Sequence, residues 1–129
     1  MIVIDASALV EVLLRTPKGT RVAGALGGQD TGAPELLDVE VLSATARLVR
    51  NGALTDVDAA RMVAALRQMP VTRVSHAALA VRAWQLRDRV RIADAFYVAC
   101  GEFFGCPLLT CDARLARAAL PGTSVLLIK

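Results

Sequence analysis

Four acidic residues sit where solvation alone explains a carboxylate poorly: Asp5, Glu40, Asp94 and Asp112. Met1-Ile2-Val3-Ile4 is an apolar, β-branched run that delivers Asp5, and Leu108-Leu109-Thr110 is a second apolar run that delivers Asp112 one residue later. In an open parallel sheet ligands bind beyond the carboxyl ends of the strands, so both acids belong to the edge where chemistry is sought. Each also suits an ordinary helix cap, because Asp accepts the first free N–H groups of a helix well. Glu40 falls between Leu36 and Ala44 on the shoulder of the apolar stripe Leu37, Val41, Ala44 and Leu48. Its neighbours three and four residues away are Leu36, Leu37, Ser43 and Ala44, none of which can neutralise it. A partly buried carboxylate of this kind needs a distant arginine, a shifted pKa or a metal ion. Asp94 stands in the first turn of Ile92 to Phe104, where its charge suits the positive helix end and Arg91 can pair with it.

Taken together the four carry a stronger implication. Two carboxylates about 4 Å apart repel by roughly 4 kcal/mol at an effective dielectric of 20, so convergence of four demands a cation. An all-oxygen donor set selects Mg²⁺ or Mn²⁺ over zinc, and Mg²⁺ keeps waters that can attack phosphorus. Zinc is further disfavoured because the three cysteines, Cys100, Cys106 and Cys111, have only His76 to join them and are expected to be reduced, buried thiols.

The elements that must position these acids follow from periodicity and punctuation. The expected strands are the run ending at Ile4, Val71 to Val74, Pro107 to Thr110 and Ser124 to Ile128. Between them fall helices over Ala6 to Arg15, from Pro17 to Gly27-Gly28, from Pro34 to Asn51-Gly52, from Thr55 to Pro70, from Ser75 through Leu86, over Ile92 to Phe104, and over Ala113 to Leu120. Thr31-Gly32-Ala33 is expected as a connection and Pro34 as a first helical position. Strands that are continuous apolar runs, alternating with helices, indicate a three-layer α/β/α fold around a central parallel sheet. At 129 residues and 55% hydrophobic the chain suits one domain over 1–129, burying roughly two-thirds of its unfolded surface.

Aromatics are only 4%, so the core must be built of Ala, Val and Leu, with apolar surface left for a partner. The uncharged run Ala118 to Ile128 is broken by Pro121-Gly122 and falls far short of the ~20 residues of a membrane span. The opening residues lack a basic leader, and Asp5 and Glu11 interrupt their apolar stretch, which points to the cytoplasm and to no membrane partner. Of the 15 basic residues only Lys18 and Lys129 are lysines, and the net charge is +3, a composition suited to bidentate phosphate contact.

In its ordered motifs the chain resembles the PIN-domain nucleases, and within them the VapC-type toxins of bacterial toxin–antitoxin pairs. The residues that carry the resemblance are Ile2-Val3-Ile4-Asp5-Ala6-Ser7, Pro34 to Glu40 with Val41-Leu42-Ser43-Ala44, Ile92 to Ala99, and Leu108-Leu109-Thr110-Cys111-Asp112. The resemblance implies that Asp5, Glu40, Asp94 and Asp112 form the metal site and that Ser7 and Thr110 are accessory hydroxyls. It also implies a sheet of order 3-2-1-4-5, a homodimer, and a VapB-like antitoxin whose C-terminal segment blocks the acidic pocket. The expected activity is Mg²⁺- or Mn²⁺-dependent hydrolysis of RNA, leaving a 5′-phosphate. Arg82, Arg87, Arg89 and Arg91, opposed only by Asp88, are placed to cradle the RNA backbone, and Trp84, spaced with Val81 and Leu79, is expected in the core or a dimer interface.

Two other readings compete. A phosphohydrolase of the haloacid dehalogenase type would use Asp5 as nucleophile, but it needs a second Asp where this chain has Ser7 and a downstream Lys that is missing. A non-catalytic PIN-like interaction domain would use the acids only as helix caps and partners of arginine.

Overall fold

The computed structural model describes residues 1–118 and 122–129. Its strands are β1 (Ile2–Ile4), β2 (Thr31–Pro34), β3 (Val71–Val74), β4 (Leu108–Thr110) and β5 (Val125–Leu127). Its helices are α1 (Ala6–Leu14), α2 (Pro17–Leu26), α3 (Leu36–Arg50), α4 (Asp56–Gln68), α5 (His76–Gln85), α6 (Ile92–Phe104) and α7 (Ala113–Arg117). All five strands are parallel, in the order β3-β2-β1-β4-β5, which is the order the resemblance implies.

The central strands are the apolar ones. Every residue of β1, β2 and β4 is buried, as expected for strands covered on both faces, whereas β3 and β5 at the edges are only partly so. Helix α6 lies against β2, β1 and β4, with α5 packed on it; α1, α2, α3 and α4 form a second group of helices. The core includes Ile2, Val3, Ile4, Leu9, Leu37, Val41, Met62, Leu108 and Leu109.

Helix starts follow local chemistry closely. Thr16, Thr55 and Ser75 each accept a backbone N–H from three residues on, and Pro17 occupies the first turn of α2, where its missing N–H costs nothing. Helix α6 ends at Phe104 against Gly105, as its sequence predicts.

Three expectations need correction. Thr31–Pro34 is a buried strand rather than a connection, and α3 begins at Leu36 rather than Pro34. The absence of side chain at Gly32 makes this possible: a Cβ there would lie 2.7 Å from Phe104 Cε2 and 3.2 Å from Met1 Sδ. Pro34 is tolerated because the β1–β2 ladder ends at Val3 and Gly32, so its lacking donor leaves no bond to β1 unmade. Of the core or dimer interface expected for Trp84, the core is excluded: Leu79 and Ala83 form the inward face of α5, while Val81 and Trp84 are 75% and 62% exposed. The expected helix to Leu120 ends at Arg117 among the described residues, and Leu120 itself lies outside them.

Close approach also fixes α2 on α1, because a Cβ at Gly19 would sit 2.1 Å from the Glu11 carbonyl oxygen. Gly24, in the same helix, faces open space. Gly19→Ala should therefore destabilise the fold by about 2 kcal/mol or more, by forcing the two backbones apart. Gly24→Ala should stabilise it by about 0.5–1 kcal/mol. Urea unfolding of the two variants checks both signs.

Candidate active site

Asp5 follows β1 and caps α1, and the fold gives its carboxylate three donors. Ser7 Oγ donates to Oδ1 at 2.7 Å, the Ala8 N–H donates to Oδ1 at 3.0 Å, and Thr110 Oγ1 donates to Oδ2. Ser7 and Thr110 are themselves tied in place. Ser7 Oγ accepts the Cys111 N–H at 3.0 Å, Thr110 Oγ1 accepts the Asp112 N–H at 2.9 Å, and the two hydroxyls lie 3.3 Å apart. Asp5 is only 5% exposed. Burial pushes its carboxyl pKa above the ordinary 3.8, against the three hydrogen bonds, and the charge of Asp112 adds to the rise.

Asp5, Glu40, Asp94 and Asp112 all line one cleft of about 520 Å³. The fold thus brings together carboxylates from the end of β1, the second turn of α3, the first turn of α6 and the residue after Cys111. The outer two are partnered. Arg91 Nε donates to Asp94 Oδ2 at 3.0 Å and Arg114 Nη2 donates to Asp112 Oδ2 at 3.1 Å. Burial alone would raise the Asp112 carboxyl pKa, but the side chain and N–H of Arg114 overcome it and hold the pKa below 3.8. Asp112 also caps α7, so capping and cleft lining coincide at both strand-end acids.

Among the described residues no three Asp, Glu, His or Cys side chains meet closely enough to ligate one ion. The acids ring the cleft. That arrangement, all oxygen and with a buried member whose ionised form is disfavoured, fits a hard, hydrated divalent cation bound partly through water. The three cysteines are free, and burial pushes the Cys100 thiol up to about 12.

The arginines divide. Arg91 lines the cleft, and Arg87, Arg89 and Arg91 line an adjoining groove together with Arg114. Arg82 lies outside both, paired with Glu102 at 2.6 Å. Arg87 stacks 4.4 Å over the Trp84 ring.

Three further lining residues escape the sequence reading. Arg47 stands seven residues, two helical turns, beyond Glu40 on the same side of α3. Glu11 extends the face of α1 that begins at Ser7, four residues earlier. Tyr97 is buried three residues after Asp94, and its hydroxyl makes no full hydrogen bond; burial, then the neighbouring Glu40 carboxylate, push its pKa up. The signal for each was helical spacing from a residue already singled out.

Comparison with known proteins agrees with this geometry. The family model described as "PIN domain" matches residues 2–120. Ribonuclease VapC12 of Mycobacterium tuberculosis is 42% identical over 118 residues, covering 92% of this chain and 92% of that protein. Ribonuclease VapC3 of the same organism is 45% identical over 118 residues, covering 91% and 86%. Among solved structures, Mycobacterium tuberculosis VapC20, titled a sarcin–ricin loop cleaving toxin, matches with a TM-score of 0.69 at 14% identity, over 95% of this chain and 98% of that one. With the strand order, the four acids at the ligand edge and relatives spanning nearly its whole described length, the chain belongs to the PIN-domain family.

Proposed function

We propose that the protein is a Mg²⁺- or Mn²⁺-dependent endoribonuclease, the toxin of a type II toxin–antitoxin pair. The observation that carries this reading is the gathering of Asp5, Glu40, Asp94 and Asp112, from four separate segments, around one cleft. The relatives bearing the name ribonuclease support the substrate class.

A divalent ion bound here supplies a Lewis acid for a phosphodiester oxygen and a water of lowered pKa. The chain's own groups do the rest. Asp5, Glu40, Asp94 and Asp112 hold the ion through carboxylate oxygens or their waters. Ser7 and Thr110 orient the Asp5 carboxylate, fixing which way its oxygens face. Arg47 and Arg91 offer guanidinium groups at the cleft, and Arg87 and Arg89 extend the basic surface along the adjoining groove. With one His and two Lys in the chain, general acid–base chemistry without a metal has few groups to use. Covalent catalysis by Asp5 fits less well, because both its oxygens already accept hydrogen bonds and Ser7 stands where the second Asp is needed.

The partners proposed are an RNA substrate, a VapB-like antitoxin and a second copy of the chain. Val39, Leu42, Val63, Val81 and Trp84 are exposed on α3, α4 and α5 and supply apolar surface for association. No helix among the described residues is long and apolar enough to cross a membrane, and the cytoplasm is the proposed compartment.

Incubation with total RNA should release new 5′-phosphate ends with Mg²⁺ and none with chelator, read by sequencing those ends. Glu40→Gln should lower the cleavage rate by about 100-fold or more, the loss of several kcal/mol of transition-state stabilisation, with an unchanged circular dichroism spectrum. Cleavage that persists in chelator would overturn the metal reading.

Asp5 makes a second expectation, on stability. Its pKa is raised on folding, so its contribution is most favourable below the ordinary 3.8 and is lost as the pH rises through the folded value. Asp5→Asn should therefore melt a few degrees above the unaltered protein at pH 7 without metal, with the gap closing as the pH is lowered toward 4. Added Mn²⁺ should stabilise only the unaltered protein, reversing the order in a thermal-shift measurement.

A further inference from the structure

Arg91 lines two adjoining concavities, and Arg114 lines one of them while pairing with a carboxylate of the other. One is the acid cleft, lined by Asp94, Asp112 and Arg91. The other is a groove of about 370 Å³, lined by Arg87, Arg89, Arg91 and Arg114, with Asp88 and Asp94 as its only acids among the described lining residues. Each of the two arginines is tied to a cleft carboxylate close by in sequence, Arg91 to Asp94 three residues on and Arg114 to Asp112 two residues back.

These pairs are unlike the one that Arg73 makes with Asp38. Arg73 holds Asp38 through two bonds of 2.6 and 2.8 Å and also donates to the Val71 carbonyl, so its guanidinium is anchored to backbone. The Arg91 and Arg114 side chains donate to nothing besides their carboxylates among the described residues. They are 63% and 64% exposed, whereas Asp94 and Asp112 are 19% and 23% exposed. The carboxylates are the less exposed members on short side chains, and Asp112 also accepts the Arg114 N–H; the guanidinium groups are held at one end only, on long flexible stems. Arginine recognises carboxylate and phosphate with the same planar fork, so a small side-chain rotation exchanges one for the other.

We propose that Arg91 and Arg114 are exchangeable counterions, which neutralise Asp94 and Asp112 while no cation holds them and turn to backbone phosphates of single-stranded RNA in the groove once a metal ion does. The inference rests on the metal-nuclease reading above. Its consequence is positive coupling: metal that claims the two carboxylates releases two cations for RNA, and by reciprocity RNA that binds those cations strengthens metal binding.

The test titrates Mn²⁺ by calorimetry into the unaltered protein and into Arg91→Ala, Arg114→Ala, Arg47→Ala and Arg82→Ala. Losing either competing pair should tighten Mn²⁺ binding by about two- to five-fold, the worth of an exposed ion pair. Arg47→Ala removes the same charge from the cleft but breaks no ion pair, and its gain should be smaller. Arg82→Ala, outside both concavities, should match the unaltered protein. Binding of a fluorescent phosphorothioate single-stranded RNA is then followed against salt, with Mn²⁺ and with chelator. Each phosphate newly contacted steepens the log–log slope by about 0.7, so the steepening on adding Mn²⁺ should be smaller by about 1.4 in the double variant Arg91→Ala/Arg114→Ala. Equal Mn²⁺ affinity in the unaltered protein and both single variants would overturn the exchange while leaving the metal reading intact. So would an equal gain from Arg47→Ala. Failure of the unaltered protein to bind Mn²⁺ at all would overturn the metal reading, and the exchange with it.

Discussion

A carboxylate removed from water must be met by donors or by a cation, and at Asp5 the fold supplies donors from two different places in the chain. Ser7 and the Ala8 N–H come from the start of α1; Thr110 comes from the end of β4. The same hydroxyls accept the N–H groups of Cys111 and Asp112, so one buried charge fixes the course of the chain as it leaves both central strands. The hydrogen bonds do not fully offset burial, since the Asp5 pKa remains raised. What is left over is an unmet preference for positive charge at the mouth of the sheet, and the rest of the cleft is arranged around it.

That arrangement uses two kinds of carboxylate. Asp5 is buried and held by neutral donors; Asp94 and Asp112 are shallower and held by arginines on the same short stretch of chain. Only the second kind has a cationic partner with no ion present, and such exposed ion pairs are worth little. Glu40 belongs to neither class. It is half-buried on α3, within reach of the Tyr97 hydroxyl and two turns from Arg47. A cleft so built tolerates its own charge without abolishing it.

The acids were legible from sequence because their positions are set locally: two follow apolar strands, one opens a helix and one sits on the shoulder of an amphipathic stripe. The convergence itself was legible only through the family resemblance, since nothing in the local pattern brings Glu40 of α3 and Asp94 of α6 to one cleft. Strand β2 was missed for a physical reason. Thr31-Gly32-Ala33-Pro34 has the composition of a turn, and its strand character comes from pairing with β1 and β3 and from Phe104 packing on Gly32, all of it non-local. Of the two places expected for Trp84 the structure excludes the core: its spacing from Leu79 is not the four-residue step that joins Leu79 to Ala83, and the helix turns it outward. Arg47 lies beyond the three- and four-residue steps that join adjacent turns, and it shares a face with Glu40 only because two full turns restore the same side of α3.

The strand order also governs when the cleft can exist. Strand β1 is central and pairs with β4, and the Thr110 to Asp5 hydrogen bond joins residues 105 positions apart. On a ribosome, a growing chain therefore carries Asp5, Glu40 and Asp94 before the segment that docks beside β1 has emerged. High sequence separation makes this closure a slow step of folding as well as a late one. Any copy that stops short of β4 therefore lacks both the Thr110 hydroxyl on Asp5 and the Asp112 wall of the cleft, and topology alone keeps the site from assembling piecemeal.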